Sequence, residues 1–363
     1  MVPAMKNSKE DNASARAEFL SGAGWKDAAL RPLAGDASTR SYMRAEKGGR
    51  EAVLMIAPPG AETAPCPPEA SEEERRALGY NAMARLAGPN LNAFVAIAEA
   101  LRGAGLSAPE IFAADASQGF ALIEDLGDDL YARIIGAADE AELYGGAIDV
   151  LLALRENAPA RPARDDYAML SYDKLALAAE TDLFMEWYWP LKKGGAAPDD
   201  LQAEYAGVIQ PLLGTLSSPH AIVLRDYHAE NLLWLPGRKG AARTGLIDFQ
   251  DGLLGCAAYD VVSLLEDARR DVPPTLADAM IERYLARAAD LDRAAFMNDY
   301  AVLAAQRNTK ILGVFARLAK RDNKPRYLDL LPRVEGLFRK DLAREGLAPL
   351  RTFVTQHFPE LAP

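Results

Sequence analysis

The sequence contains few of the residues that mark several common protein classes. It has two cysteines and three histidines in 363 residues, so neither a disulfide framework nor a zinc site is predicted. No segment approaches the roughly 20 apolar residues of a membrane span, and the polar N-terminus lacks the apolar core of a secretory signal. The net charge of −11 argues against binding to nucleic acid. We therefore expect a cytoplasmic protein without a membrane or nucleic-acid partner.

Two short polar segments in the middle of the chain carry residues suited to phosphoryl transfer. Asp226 and Asn231 follow the apolar run 221–224, and Asp248 follows the run 245–247. This reaction needs a carboxylate near the attacking hydroxyl and hard oxygen ligands for magnesium. We therefore predict Asp226 as the catalytic base, and Asn231 and Asp248 as Mg²⁺ ligands. Asp and Asn also cap turns and strands, but two such motifs in this order favour the catalytic interpretation.

The motif departs from the protein-kinase signature, which has His-Arg-Asp, an Asn five residues on, and then Asp-Phe-Gly. Leu224 stands where that signature has His, His228 follows Asp226 by two residues, and Gln250 replaces the Gly. This pattern resembles the aminoglycoside phosphotransferase and choline kinase superfamily. The resemblance implies ATP and Mg²⁺ as cofactors.

The order of the predicted elements agrees with a bilobal, protein-kinase-like α+β fold. Strand-like segments dominate residues 1–125, which we expect to form a small β-rich N-lobe. Residues 126–363 are expected to form a larger, mostly helical C-lobe. Helices are predicted over residues 140–156, 172–189, 198–216, 260–270, 275–289 and 293–320.

The nucleotide-binding residues are expected in the first lobe. Ser38 and Thr39 lie in a run of small residues that resembles a phosphate-covering loop, although a plain hairpin turn is the alternative. The third strand lacks the lysine that kinases pair with the phosphates. Arg40 or Arg44 is expected to replace that lysine, although Arg44 also suits a solvated strand position. Glu99 is the nearest candidate for the glutamate that normally pairs with the lysine.

An apolar strand that ends in acidic residues and a glycine resembles the hinge between the lobes. The resemblance implies that Glu124 and Leu126 bind adenine through their main-chain groups. The alternative is an ordinary turn from a strand to a helix with an acidic first turn. Asp260 precedes an apolar helix, so we expect it to cap the helix N-terminus. The resemblance implies that it also steadies the catalytic loop.

Several further segments narrow the resemblance and extend it over nearly the whole chain. The segments are residues 35–42, 55–59, 180–188, 247–251, 306–318 and 324–328. They closely resemble the anomeric kinases that phosphorylate N-acetylmuramate and N-acetylglucosamine. The resemblance implies a sugar α-1-phosphate as product, made during peptidoglycan recycling toward a UDP-sugar. A small amino sugar is then the expected partner, bound by a monomer.

Five residues are candidates for contacts with the sugar. Glu180, Glu186 and Trp187 lie on one predicted helix, and an aromatic face with carboxylates suits a sugar. Burial in the core is the alternative for the aromatic residue. Arg307 and Lys310 share a helix face that suits the lactyl carboxylate of muramate, although surface charges are equally expected there.

Two other functions remain open. One is an aminoglycoside, choline or other small-alcohol kinase of the same superfamily. The other is a nucleotide-binding pseudokinase, which the missing strand lysine suggests. The joint presence of Asp226, Asn231 and Asp248 disfavours the pseudokinase, because a module that only binds nucleotide needs no base.

Overall fold

In a computed structural model, the described residues are 8–33, 40–59, 66–157 and 161–363. The predicted phosphate contacts Ser38 and Thr39 therefore lie outside the described residues. The N-terminal region is built on an antiparallel sheet whose strand order is β1-β2-β3-β5-β4. Its elements are α1 (Ser8–Gly22), β1 (Ala29–Pro32), β2 (Ser41–Lys47), β3 (Arg50–Ile56), α2 (Glu72–Leu78), α3 (Tyr80–Met83), α4 (Leu91–Gly103), β4 (Ile111–Asp115) and β5 (Phe120–Ile123).

Strands β2 and β3 form a tight antiparallel hairpin. Its loop consists of Gly48 and Gly49, whose φ angles are 57° and 75°. Two consecutive positive φ angles define the tight turn that matches the twist of a two-residue hairpin, and glycine adopts them without a steric penalty.

Alternation along β3 gives the sheet two different apolar faces. Leu54 and Ile56 pack with the end of α1, where Leu20 and Trp25 are buried. Val53 and Met55 point the other way, into a core that continues through α4 into the helical part of the chain. The two regions therefore share one hydrophobic core.

The described residues from 126 onward are mostly helical, with three small two-stranded sheets. The helices are α5 (Tyr131–Ile134), α6 (Glu140–Asn157), α7 (Lys174–Leu183), α8 (Trp189–Lys193), α9 (Asp199–Leu213), α10 (Ala258–Leu265), α11 (Pro274–Arg287), α12 (Arg293–Lys320), α13 (Leu331–Leu342) and α14 (Ala348–His357). The strands are β6 (Ala163–Arg164), β7 (Tyr167–Ala168), β8 (His220–Val223), β9 (Leu232–Trp234), β10 (Thr244–Leu246) and β11 (Leu253–Cys256). Within the described ranges, no helix is both long and apolar enough to cross a membrane.

Most predicted helices are confirmed, and two need correction. The helix predicted over residues 172–189 is interrupted, because a π-helical turn (Phe184–Tyr188) separates α7 from α8. The helix predicted to start at Asp260 begins two residues earlier and ends at Leu265. Asp260 therefore lies inside α10 and does not cap it.

A segment between β3 and α4 connects the two regions and was not predicted. We call residues 66–90, which include α2 and α3, the bridging segment. Asp173, at the start of α7, pairs with Arg75 at 2.6 Å and with Arg85 at 2.8 Å. Asp251 accepts a hydrogen bond from the main chain of Ala87 at 2.7 Å. These contacts hold the bridging segment against the helical region.

The close packing of α12 against the end of α7 leads to a stability prediction. A Cβ atom on Gly313 would overlap the main chain of Leu183, so Gly313→Ala should lower the free energy of unfolding by about 1–3 kcal/mol. Gly336 in α13 has open space at the same position. As the matched control, Gly336→Ala should raise stability by about 0.5–1 kcal/mol. Urea unfolding measures the free energy of unfolding of both variants. Equal free energies would contradict the close packing of Gly313 against Leu183.

Candidate active site

The predicted catalytic residues lie in turns next to three short strands, each of which pairs in an antiparallel sheet. Asp226 follows β8, Asn231 precedes β9, and Asp248 follows β10. The pairing of β9 with β10 continues through Ile247, whose N–H donates to the Asn231 carbonyl at 3.2 Å. Asn231 Nδ2 donates to the Asp226 carbonyl at 2.9 Å. Because its nitrogen is used in this way, the amide oxygen of Asn231 remains for a ligand.

The backbone is left-handed at two positions in these turns. Arg225 has a φ of 67° and Asp248 a φ of 59°. Residues other than glycine adopt this conformation at a cost of about 1–3 kcal/mol each, and such strain is concentrated at functional sites. The surrounding contacts must therefore hold both turns in place.

Asp260 holds the first of these turns. Its carboxylate accepts hydrogen bonds from the N–H groups of Leu224 at 2.6 Å and Arg225 at 3.0 Å. Ser263 in the same helix donates to the Arg225 carbonyl at 3.1 Å. Burial raises the pKa of Asp260 to about 7, although the two N–H donors act in the opposite direction. The implied role in steadying the catalytic loop agrees with this geometry.

The Arg225 side chain is held by a buried carboxylate that the sequence analysis assigned to the sugar. Glu180 is 0% exposed and forms an ion pair with Arg225, which is itself 2% exposed. Lys310 pairs with the same carboxylate at 2.7 Å, and Gln306 donates to it at 2.9 Å. Burial acts to raise the pKa of Glu180, but the charges of Lys310 and Arg225 lower it to about 2.

The prediction that Glu180 contacts the sugar is therefore wrong. All of its surface is covered, and its oxygens are used by the side chains that position the catalytic loop. Helical spacing placed Glu180 on the same face as Trp187, but it could not show what covers that face. The same limit explains why Arg225, Tyr172 and Gln306 were not predicted.

The electrostatic environment keeps Asp226 ionised. Burial acts to raise its pKa, but nearby cations, with Lys310 first among them, lower it overall. The pKa of Asp248 is raised instead, mainly by burial and then by the negative charge of Asp226. Two neighbouring carboxylates with opposite shifts suit a proton acceptor beside a cation ligand.

Comparison with known proteins agrees with this arrangement. Residues 29–297 match the model of the phosphotransferase enzyme family. The chain belongs to this family.

Individual relatives are similar over most of their length. The chain is 46% identical to the N-acetylmuramate/N-acetylglucosamine kinase of Caulobacter vibrioides, over 95% of this chain and 96% of that protein. It is 31% identical to the kinase of the same name from Pseudomonas aeruginosa, over 87% of this chain and 85% of that protein. These identities confirm the resemblance to the anomeric kinases.

A solved structure shows the same fold. The ADP-bound aminoglycoside phosphotransferase APH(2'')-Ib aligns with a TM-score of 0.56 at 13% identity, over 90% of this chain and 99% of that chain. The predicted bilobal, kinase-like α+β fold is thereby confirmed. The phosphotransferase thus has a small strand-rich region and a larger helical region.

The predicted magnesium ligands of this phosphotransferase fit a hard cation. Gln250 Nε2 donates to one carboxylate oxygen of Asp248 at 2.9 Å, which leaves the other oxygen for a metal. The Asn231 amide oxygen stays the second predicted ligand. Within the described ranges, no group of three or more His, Cys, Asp or Glu side chains could hold a metal ion. A metal at Asn231 and Asp248 would therefore need further oxygens from phosphate and water.

The two arginines predicted to replace the strand lysine have different surroundings. Arg40 lies close enough to Asp248 to lower the pKa of that carboxyl, and it donates to the Gly88 carbonyl at 2.7 Å. Arg44 instead pairs with Asp125 and Asp128 in the segment after β5. Arg40 is therefore better placed than Arg44 for phosphate, and its role stays a prediction.

The other nucleotide contacts also stay predictions. The Glu124 N–H donates to the Glu110 carbonyl at 2.8 Å, so only the carbonyl of Glu124 remains for adenine. Leu126 lies in the same segment, between β5 and α5. Glu99 is exposed and pairs with Arg164 at 2.9 Å. Glu99 therefore does not take the place of the helix glutamate of kinases.

The remaining sugar candidates fall into two groups. Glu186 is exposed and Trp187 is partly buried against the core. Arg307 and Lys310 lie closer to the catalytic loop, because the charges of both lower the pKa of Asp226. Arg307 is 4% exposed, and its Nη1 atom has no hydrogen-bond partner among the described residues. Sequence alone did not indicate that this arginine is buried.

His228, which distinguishes this motif from that of protein kinases, is neutral. Its Nε2 atom lies 3.3 Å from Arg269 Nη1, which can only donate, so the ring proton is on Nδ1. Burial, aided by the charge of Arg269, lowers the pKa of His228 to about 4. The folded protein therefore disfavours protonation of this ring.

This shift predicts a pH dependence of stability. The stabilisation due to neutral His228 is complete above pH 6.5, the ordinary histidine pKa, and is lost as the pH falls toward 4. It amounts to about 3 kcal/mol. His228→Gln, which retains an acceptor but cannot ionise, should lose correspondingly less stability on acidification in urea unfolding. The control His220→Gln changes an exposed ring and should follow the wild type. If the free energy of unfolding of His228→Gln fell with pH as steeply as that of the wild type, the assignment of this pH dependence to His228 would be refuted.

Proposed function

We propose that this phosphotransferase transfers the γ-phosphoryl group of ATP to the anomeric hydroxyl of N-acetylmuramate, N-acetylglucosamine or both. The names of the similar kinases support these substrates. The observation that carries the reaction is the ionised Asp226, held beside the oxygen ligands of Asn231 and Asp248. The product would be the sugar α-1-phosphate, made in peptidoglycan recycling toward a UDP-sugar.

Asp226 orients the acceptor hydroxyl and takes its proton as the new oxygen–phosphorus bond forms and ADP departs. An anomeric hydroxyl is more acidic than an ordinary alcohol, so orientation contributes more than early proton removal. Asn231 and Asp248 would hold Mg²⁺, which would supply positive charge to the transferred phosphoryl group. Arg40 supplies a second positive charge in place of the missing lysine.

The charges near Asp226 disfavour the alternative of an aminoglycoside acceptor. Arg225, Lys310 and Arg307 all bring positive charge close to that carboxylate. A polycationic acceptor would be repelled there, whereas a neutral or anionic sugar would not. The two cysteines are buried free thiols, which suits the cytoplasm, where ATP is available. We propose that the enzyme acts there as a monomer.

The first test separates the base from the metal ligand. Asp226→Asn should lower turnover by roughly 100- to 10,000-fold, because the general base is lost, while Mg-ATP affinity changes little. Asp248→Ala should instead abolish productive Mg-ATP binding. Calorimetry with Mg-ATP measures binding, and phosphorus NMR shows which acceptor gains phosphate. Near-normal turnover in Asp226→Asn would contradict the assignment, as would phosphate on kanamycin or choline but on neither sugar.

The second test concerns the lactyl carboxylate that distinguishes muramate from glucosamine. We propose that Arg307 and Lys310 interact with this group. Arg307→Gln should lower kcat/KM for N-acetylmuramate about 10-fold more than for N-acetylglucosamine, as expected for a lost charged hydrogen bond. Lys320→Met, at the exposed end of the same helix, is the control and should leave the ratio unchanged. Equal losses for both sugars would refute the carboxylate contact.

A further inference from the structure

The turn that ends helix α3 has an arginine at its left-handed position. The Leu86 N–H donates to the Asn81 carbonyl at 3.0 Å, and the Arg85 N–H donates to the Ala82 carbonyl at 3.2 Å. These two bonds are the pattern that closes a helix around one left-handed residue, which is usually glycine. Here that residue is Arg85, whose φ is 53°. A side chain at this position strains the backbone, so other contacts must hold the turn.

The Arg85 side chain makes such a contact. Its Nη2 atom pairs with Asp173 Oδ2 at 2.8 Å, and only 14% of the side chain is exposed. Asp173 is itself fixed, because it caps α7 by accepting from the Ala176 N–H at 2.9 Å. The same carboxylate pairs with Arg75, which donates to the Met83 carbonyl in α3 at 2.7 Å. Two arginines therefore hold the end of α3 against the start of α7.

The main chain on either side of this arginine contacts the catalytic turns. We call residues 84–88 the bridging turn. The Ala84 carbonyl accepts from Arg225 Nη1 at 3.3 Å, and the Ala87 N–H donates to Asp251 Oδ1 at 2.7 Å. Arg225 directly precedes the proposed base, and Asp251 follows the predicted metal ligand of its turn by three residues. The bridging turn therefore lies against both segments that carry the catalytic residues.

The bridging turn also contacts the arginine proposed to act on phosphate. The Gly88 carbonyl accepts from Arg40 Nη2 at 2.7 Å. Arg40 directly precedes β2 of the N-terminal sheet, whereas Asp226 and Asp248 belong to the helical region. The relative position of these residues depends on contacts between the two regions. The bridging turn supplies such contacts, because its main chain binds Arg40 on one side and the catalytic segments on the other.

We propose that Arg85 is a positioning residue for nucleotide binding. Its ion pair with Asp173 holds the bridging turn in the left-handed conformation, in which the turn aligns Arg40 with the two catalytic segments. Arg85 thus acts through Arg40 and not through a contact of its own with ATP. This role rests on the proposed function, in which Arg40 supplies positive charge to the phosphoryl group beside Asp248.

The first test is the affinity of the full-length protein for Mg-ATP, measured by calorimetry together with steady-state kinetics. Arg85→Gln removes the ion pair, so the strained turn should relax. The dissociation constant and the KM for ATP should rise about 10-fold, as for a lost charged hydrogen bond. The kcat at saturating ATP should fall less than about 3-fold, because Asp260 and Glu180 still hold the catalytic loop.

The matched control is Arg76→Gln in the same segment. Arg76 lies on α2, its side chain is 56% exposed, and it pairs with Glu72 at 3.9 Å. This variant loses an arginine charge of the bridging segment without affecting the bridging turn. Its affinity for Mg-ATP and its KM for ATP should therefore match the wild type.

A second variant separates the position of the turn from the charge of Arg85. Arg85→Gly also removes the ion pair, but glycine adopts the left-handed conformation without strain. Since Arg75 and Asp251 still anchor the segment, affinity for Mg-ATP should stay within about 3-fold of the wild type. Glycine is preferred at this place, so Arg85→Gly should fold even if Arg85→Gln does not. A loss of about 10-fold in Arg85→Gly would overturn the proposal.

A double-mutant cycle tests whether Arg85 acts through Arg40. In the Arg40→Gln background, Arg85→Gln should change the dissociation constant for Mg-ATP less than about 2-fold, because the contact that the turn positions is already lost. Equal factors in both backgrounds would indicate a general structural effect and would overturn the proposal. Wild-type affinity in Arg85→Gln would also overturn it.

These outcomes are distinct from failure of the proposed function. If Mg-ATP binding shows the expected coupling between Arg85 and Arg40 but neither sugar gains phosphate, the proposed substrate is wrong and the role of Arg85 stands. If a sugar is phosphorylated and the two substitutions act independently, only the role of Arg85 falls. Absence of Mg-ATP binding to the wild type would contradict both.

Discussion

The left-handed turn at Arg225 is the constraint on which the catalytic site depends. An unsupported turn of this kind would relax, because the conformation is costly for any residue with a side chain. Asp260 binds its backbone N–H groups, and Glu180 binds its guanidinium from the other side. The position of Asp226, the next residue, follows from these two buried carboxylates. Neither of them touches the reacting groups, so both are positioning residues.

The long helix α12 connects this constraint to the charge at the site. Lys310 balances the buried Glu180 and also contributes most to lowering the pKa of Asp226. Gln306 completes the shell around Glu180, and Gly313 allows the helix to approach α7 closely. Helix α12 therefore supports the buried carboxylate that holds the loop and also lowers the pKa of Asp226. The overall charge of −11 is consequently a poor guide to the site, where buried cations and carboxylates lie close together.

The bridging segment shows why the two regions are not independent. It leaves the sheet and forms two ion pairs with Asp173 at the start of α7. Its helices α2 and α3 are short and follow a proline-rich stretch, so the sequence shows no hydrophobic periodicity from which they could be predicted. Their position depends on the ion pairs of Arg75 and Arg85 with Asp173, which lies about 90 positions further along the chain. Such partners cannot be identified from local sequence, because the spacing of nearby residues does not determine which distant charged residue the fold brings into contact.

The sequence by itself determined the elements and the chemistry that depend on short-range order. The full extent of α12 was readable from helical periodicity, and Asp226, Asn231 and Asp248 were predicted as a set from two short motifs. Tertiary structure alone decided the roles of charged residues on helices. Helical spacing grouped Glu180 with Trp187 and Arg307 with Lys310, but only packing showed that Glu180 and Arg307 are buried. Packing also showed that Asp260 binds the catalytic loop from inside its helix and does not cap that helix. Burial depends on what covers a surface, and that is a property of the whole fold.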